Sequence, residues 1–187
     1  MFVYCIRHGE SQTNRDGKWT GWNNPLLTEK GEADAKKAGE IIKNVKFDAV
    51  YASDLTRAIQ TANIAVPNHK VIIDKRLREV NVGDFAGRYY ADVPVEDTEL
   101  SKREGYAKFN GESKQEFLSR TKSFLTELES SNLDNVAVFT HGGWLRNVLR
   151  FVFFDDFNTA KVCLYNCAVI VLEFKNDVWR LHSLINI

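Results

Sequence analysis

Two histidines stand in the same local setting at opposite ends of this chain. His8 follows the apolar run 1–6 and sits between Arg7 and Gly9; His141 follows Val136–Phe139 and Thr140, and precedes Gly142 and Gly143. Two more apolar runs, 49–52 and 71–73, lead into Arg57 and into Arg78 and Glu79. Imidazoles, guanidiniums and a carboxyl group together suit a phosphoryl group. Arginine forks match phosphate oxygens and stabilise the charge spread over them during transfer. A neutral imidazole can attack phosphorus and divide the reaction into two easier steps. A carboxyl group can protonate the departing oxygen and then activate the water that cleaves the intermediate. The rival chemistry is a metal held by the two histidines with Glu79 and Glu10. Arg7 and Arg57 beside it would repel a cation, so the residues fit an anion better.

For these groups to act together, the apolar runs must be parallel strands of one sheet. They are short and almost continuously apolar, as strands buried on both faces are. Ligands of open α/β sheets collect just beyond the carboxyl ends of the strands, which is where the polar residues fall. Between the strands the pattern predicts helices. One starts at Thr28 and turns Ala35, Ala38, Ile41 and Ile42 inward. A second is capped by Ser53, buries Leu55, Ala58, Ile59, Ala62 and Ala65, and carries Arg57 in its first turn, where a helix already favours anions. A third starts near Ser113 with Phe117, Thr121, Phe124, Leu125 and Leu128 inward, and a fourth runs from Trp144 to Val152. Residues 12–27 read as a polar loop. The close is two strands, 168–174 and 178–184, joined at Asn176-Asp177 and so antiparallel. The fold class expected is α/β: a three-layer α/β/α sandwich on a mostly parallel sheet with an antiparallel edge, one domain over 1–187. Residues 88–112 break every pattern. They read as a lid or specificity insertion over the site, or equally as a solvated loop.

Bulk properties set the remaining bounds. The chain has 187 residues, enough for one α/β domain, and 44% of them are hydrophobic. Lys plus Arg equals Asp plus Glu at 25 each, so no general field predicts nucleic acid or an anionic membrane as partner. No apolar run approaches the roughly 20 residues of a membrane span, and Met1 leads at once into a strand. The expectation is a cytoplasmic protein. Cys5, Cys163 and Cys167 are odd in number, lie among apolar residues and suit reduced core thiols. No Cys-x5-Arg phosphate loop is present.

Four motifs in order are similar to the histidine phosphatase superfamily, the phosphoglycerate-mutase-like proteins. They are Arg7-His8-Gly9-Glu10-Ser11 with Asn14; Ser53-Asp54-Leu55 with Arg57, Ala58, Thr61 and Ala62; Leu77-Arg78-Glu79 with Gly83 and Gly87; and Thr140-His141-Gly142-Gly143. The resemblance spans nearly the whole chain. It implies that His8 is the phosphorylated nucleophile and Glu79 the acid and base. It also implies that Arg7, Arg57 and His141 form the phosphate pocket, with Asn14 and the backbone of Gly142 adding contacts, and with no metal or other cofactor. Gly111-Glu112-Ser113 with Arg120 resembles a further family segment, except that Asn110 precedes the glycine and the family's proline is missing.

Within the family, a mutase must exclude water while the phosphoenzyme waits, which calls for a closing lid and a sealing tail. The 88–112 segment is short and the sequence ends soon after its final strand, so the expectation is a phosphatase of a small phosphorylated metabolite. Thr20-Gly21-Trp22 resembles a loop common in mutases, which leaves a mutase or a sugar bisphosphatase as the alternative. A non-catalytic phospho-ligand binder is a third reading, opposed by the full residue set. Glu10 is read as loop-orienting or catalytic, His69 and His182 as bystanders, Trp19, Trp22 and Trp144 as packing, and Arg76 and Arg78 as facing solvent.

Overall fold

The structure is a computed structural model that describes residues 1–153 and 161–187. Its framework is a six-stranded sheet made of β1 (Phe2–Arg7), β2 (Ala49–Ala52), β3 (Val71–Ile73), β4 (Asn135–Thr140), β5 (Val169–Lys175) and β6 (Val178–Ile185). The order across the sheet is β3-β2-β4-β1-β5-β6. The first four in that order run parallel, while β5 is antiparallel to β1 and β6 to β5. Asn176 and Asp177 turn the last hairpin with φ of 52° and 58°, the two left-handed residues a tight hairpin needs.

Helices cover both faces. On one side α2 (Glu29–Ile42) and α3 (Thr56–Ala65) pack on Ile6, Val50, Ala52, Ala137 and Phe139. On the other, α5 (Lys114–Glu129) and α6 (Gly142–Val152) pack on Val3, Cys5, Val136 and Val138. Alternate strand residues therefore feed two separate cores, which is why the strands are apolar without a break. Thr28 caps α2 by accepting from the Gly31 amide, and Ser113 closes a reciprocal capping box with Glu116 on α5. The inward stripe expected for α5 is buried in full.

Several expectations are corrected. Residues 12–27 contain a short helix, α1 (Gln12–Arg15), capped by Ser11. Ser53 does not cap α3: its hydroxyl accepts from the Leu55 amide, and the helix begins at Thr56 with Leu55 as N-cap. Ile59 is only half-buried there, whereas Thr61 is buried. Ile41 is exposed, and Gly31, Asp34 and Gly39 complete the buried face of α2. The 88–112 segment holds a ten-residue helix, α4 (Val95–Glu104). Cys5 and Cys167 are buried, but Cys163 is exposed. No helix among the described residues is long and apolar enough to cross a membrane.

Candidate active site

Strand register builds the site. Arg7 lies opposite Thr140 in the β1–β4 pair, so His8 and His141 are the first residues beyond two neighbouring parallel strands. The His8 amide donates to the Thr140 carbonyl at 2.9 Å, and the two imidazole centroids are 5.1 Å apart. On the other side of β4, the Ser53 amide donates to the Phe139 carbonyl, which sets the start of α3 and hence Arg57 against the same rim. Glu79 arrives on the chain leaving β3. The Thr140 hydroxyl donates to the Leu77 carbonyl at 2.8 Å and ties that chain to the end of β4.

Arg7, His8, Asn14, Arg57 and Glu79 line one cavity of about 230 Å³. His141 is fully buried behind it, and neither ring nitrogen has a hydrogen-bond partner among the described residues. Gly142 lies against Arg7, since a Cβ there would come 3.3 Å from the Arg7 Nε, and Gly143 rather than Gly142 reaches the cavity wall. The sequence-predicted residues thus come together, His141 and Gly142 as a layer just outside the lining.

Each side chain is held in one orientation. His8 Nδ1 donates to the Gly9 carbonyl at 2.7 Å, which leaves Nε2 without a proton, and Nε2 accepts from Arg57 Nε at 3.2 Å. Arg57 in turn donates Nη1 to the Asn23 carbonyl and Nη2 to the Gly21 carbonyl, at 2.8 and 2.9 Å. Arg7 Nη1 donates to the Leu164 carbonyl. Glu79 accepts from the Val80 amide on Oε1 at 2.9 Å and from the Gly143 amide on Oε2 at 3.1 Å. A Cβ at position 143 would run into Glu79 Oε1. Burial, then the Arg57 and Arg7 charges, hold the His8 imidazole well below its ordinary range, and burial with Arg57 does the same to His141. Both rings are therefore neutral at physiological pH. Burial also lowers Arg57 to about 10, still charged at neutrality.

The loop that follows β1 is pressed flat on α2. A Cβ on Gly9 would meet the Gly31 carbonyl, and one on Gly31 would meet the backbone of Glu10. The Glu10 carboxylate accepts from the Thr28 hydroxyl at 2.8 Å, which fits a loop-orienting residue. The Gly9 amide donates to the Thr61 hydroxyl at 2.9 Å.

Other contacts were not legible from the sequence. The Glu79 carbonyl accepts from Trp22 Nε1 at 2.7 Å and from Arg120 Nη2 at 2.8 Å. Asn166 Nδ2 donates to the His8 carbonyl at 3.0 Å. Arg78 does not simply face solvent: it grips Asp54 with two bonds of 2.7 and 2.6 Å and lies over the Trp22 ring. Arg76 likewise pairs with Asp74 and Glu127. His69 and His182 pack on Phe47 and Phe2. Among the described residues no three His, Cys, Asp or Glu side chains are grouped to hold a metal ion.

Known proteins are similar to this chain over most of its length. The adenosylcobalamin/alpha-ribazole phosphatase of Salmonella typhimurium is 32% identical over 78% of this chain and 76% of its own length. The 2,3-bisphosphoglycerate-dependent phosphoglycerate mutase 2 of Gloeobacter violaceus is 30% identical over 94% of this chain and 86% of its own. Among solved structures, a mycobacterial glucosyl-3-phosphoglycerate phosphatase in complex with VO3 is similar with a TM-score of 0.85, at 25% identity and 96% coverage of both chains. Phosphoglycerate mutase from Bacillus anthracis has a TM-score of 0.84, at 25% identity, covering 98% of this chain and 92% of that one. A family model described as the histidine phosphatase superfamily (branch 1) matches residues 3–187, and the chain belongs to that family.

Proposed function

We propose that this protein is a phosphomonoesterase that works through a phosphohistidine on His8. The observation that carries the reading is the contact of His8 Nδ1 with the Gly9 carbonyl, an acceptor that fixes the tautomer of the neutral ring. Its Nδ1–H is committed to the Gly9 carbonyl, so the lone pair of Nε2 is the free nucleophile, and that atom lies against Arg57. A bound phosphoryl group takes over the Arg57 donor, and Arg7, Asn14 and His141 supply further contacts to its oxygens. Nε2 attacks phosphorus in line as the P–O bond to the alcohol breaks, and Glu79 gives its proton to the departing oxygen. Water then attacks the phosphohistidine, Glu79 takes the proton from that water, and phosphate leaves with His8 neutral again. The guanidiniums provide the charge stabilisation that a divalent metal supplies in other phosphatases, so the route needs none. We assign 88–112 to substrate specificity, because its Tyr90 and Tyr106 line the cavity.

A mutase is the second reading, favoured by the mutase relative aligned over 94% of the chain. One experiment tests both. Rapid quench with labelled substrate, in EDTA throughout, should trap an acid-labile, alkali-stable phosphate that His8→Ala abolishes, followed by release of inorganic phosphate. Label on Ser11, label surviving in His8→Ala, or labelling that returns only with added Mg or Zn would refute the mechanism. Transfer of the label to a second hydroxyl instead of water would mark a mutase.

A further inference from the structure

The cavity lining combines two kinds of group. Arg7, Arg57, His8 and Glu79 are joined by Trp19, Val80, Val82, Tyr90 and Tyr106, none of which is charged. The rings brace one another: Trp19 meets Tyr90 edge to face at 5.2 Å and Tyr106 at 6.2 Å, and buried Phe85 backs both Trp19 and Tyr106 at 5.5 Å. Partial burial pushes the Tyr90 and Tyr106 phenols up from their ordinary value, so both rings stay neutral.

The cations of the lining are Arg7 and Arg57, and a phosphoryl dianion uses both. The cations of the neighbouring elements are already engaged. Arg78 is bound to Asp54, and Arg120 to Glu112 and three carbonyls. Lys18 lies over the Tyr89 ring at 4.6 Å, and Arg146 Nη1 donates to the Val162 carbonyl. A carboxylate or second phosphate on the alcohol would be desolvated against aromatic faces without a partner, which is costly, whereas an uncharged flat or apolar group gains contact area there.

We infer that the alcohol released from the phosphoester is an uncharged, apolar or aromatic-faced group seated on Trp19, Tyr90 and Tyr106, and that phosphorylated carboxylic acids and bisphosphates are poor ligands. This rests on the phosphomonoesterase reading. It deepens that reading by setting aside acid-bearing substrates of the phosphoglycerate kind.

Binding and turnover separate the two claims. Benzylphosphonate and (4-carboxybenzyl)phosphonate differ by one carboxylate and cannot be hydrolysed. Titration calorimetry on the full chain should show the neutral ligand binding at least about tenfold tighter. In Tyr90→Lys the gap should shrink, because the substitution places a cation among the uncharged lining residues at a half-exposed position that can accept it. Equal or reversed affinities, no measurable binding of either phosphonate, or a gap unchanged in Tyr90→Lys would each overturn the inference. Selective phosphonate binding by a protein that hydrolyses no phosphate monoester would instead refute the phosphomonoesterase reading and leave the selectivity standing.

Discussion

Glu79 is the residue whose assignment is most open to measurement. Both its oxygens are fixed by backbone amides, so it presents a carboxyl group in one place. If it protonates the departing alcohol, its worth depends on how badly that alcohol needs a proton. An alkoxide is a poor leaving group, while nitrophenolate departs unassisted, and general acid catalysis is worth roughly 10²–10⁴-fold when required. Glu79→Gln should therefore slow the single-turnover burst far more with an alkyl phosphate than with p-nitrophenyl phosphate. The same factor lost with both esters would remove Glu79 from the role of acid. The groups that could do chemistry were legible because each follows an apolar run, and strand ends converge in an open sheet. The contacts that aim them were not. Trp22 reaches Glu79 across 57 positions and Asn166 reaches His8 across 158, and no spacing encodes such a contact.

At the scale of elements, α5 braces the segment that carries Glu79 through one side chain. Arg120 donates to the carbonyls of Arg76, Arg78 and Glu79 and grips Glu112 with two bonds of 2.7 and 2.9 Å. Both side chains of the pair are mostly buried, at 16% and 10% exposure. Arg120→Met removes the counter-charge of the mostly buried Glu112 and the donor to the Arg78 carbonyl, and should cost about 3 kcal/mol or more in urea unfolding. The double variant Arg120→Met, Glu112→Gln should recover part of that loss, because the stranded charge is gone. A loss below about 0.5 kcal/mol in the single variant would contradict a buried brace and match a surface pair. Legibility at this scale followed burial. The long stripe of α5 could be read directly, whereas α4 buries only Ser101 and α1 buries nothing, so neither has a periodic apolar face. Ser53 misled because its hydroxyl satisfies the Leu55 amide in the turn before the helix, a local bond that resembles a cap.

For the whole molecule, two imidazoles kept neutral by burial and by Arg57 tie folding to pH. Unfolded, each takes a proton near pH 6.5; folded, each resists it until well below. The unfolded state then binds more protons, so stability is full above about pH 7.5 and falls as pH drops through 6.5. Unfolding in phosphate-free buffer should lose up to ~1.4 kcal/mol per pH unit for each of the two histidines between pH 6 and 5. His8→Asn should roughly halve that slope. A flat profile over this window would mean that the rings titrate normally. The paired carboxylates, Asp34 and Asp54 among them, are held low and lose their contribution only at more acid pH, so the two effects can be separated.

The flat contact between Gly9 and Gly31 bears on how the chain tolerates variation. Each position is closed by the other segment's backbone, not by a side chain that a second substitution could trim. Double changes therefore offer no compensating route, and the two sites should behave as independent vetoes. In a saturation library screened for phosphatase activity, Gly31 should be about as intolerant as His8, although it carries no functional group. Alanine accepted at Gly31 without loss would mean that α2 can shift away from the loop. A ranking of positions by mutational sensitivity would then place a mute residue among the catalytic ones, and only the three-dimensional contact tells them apart.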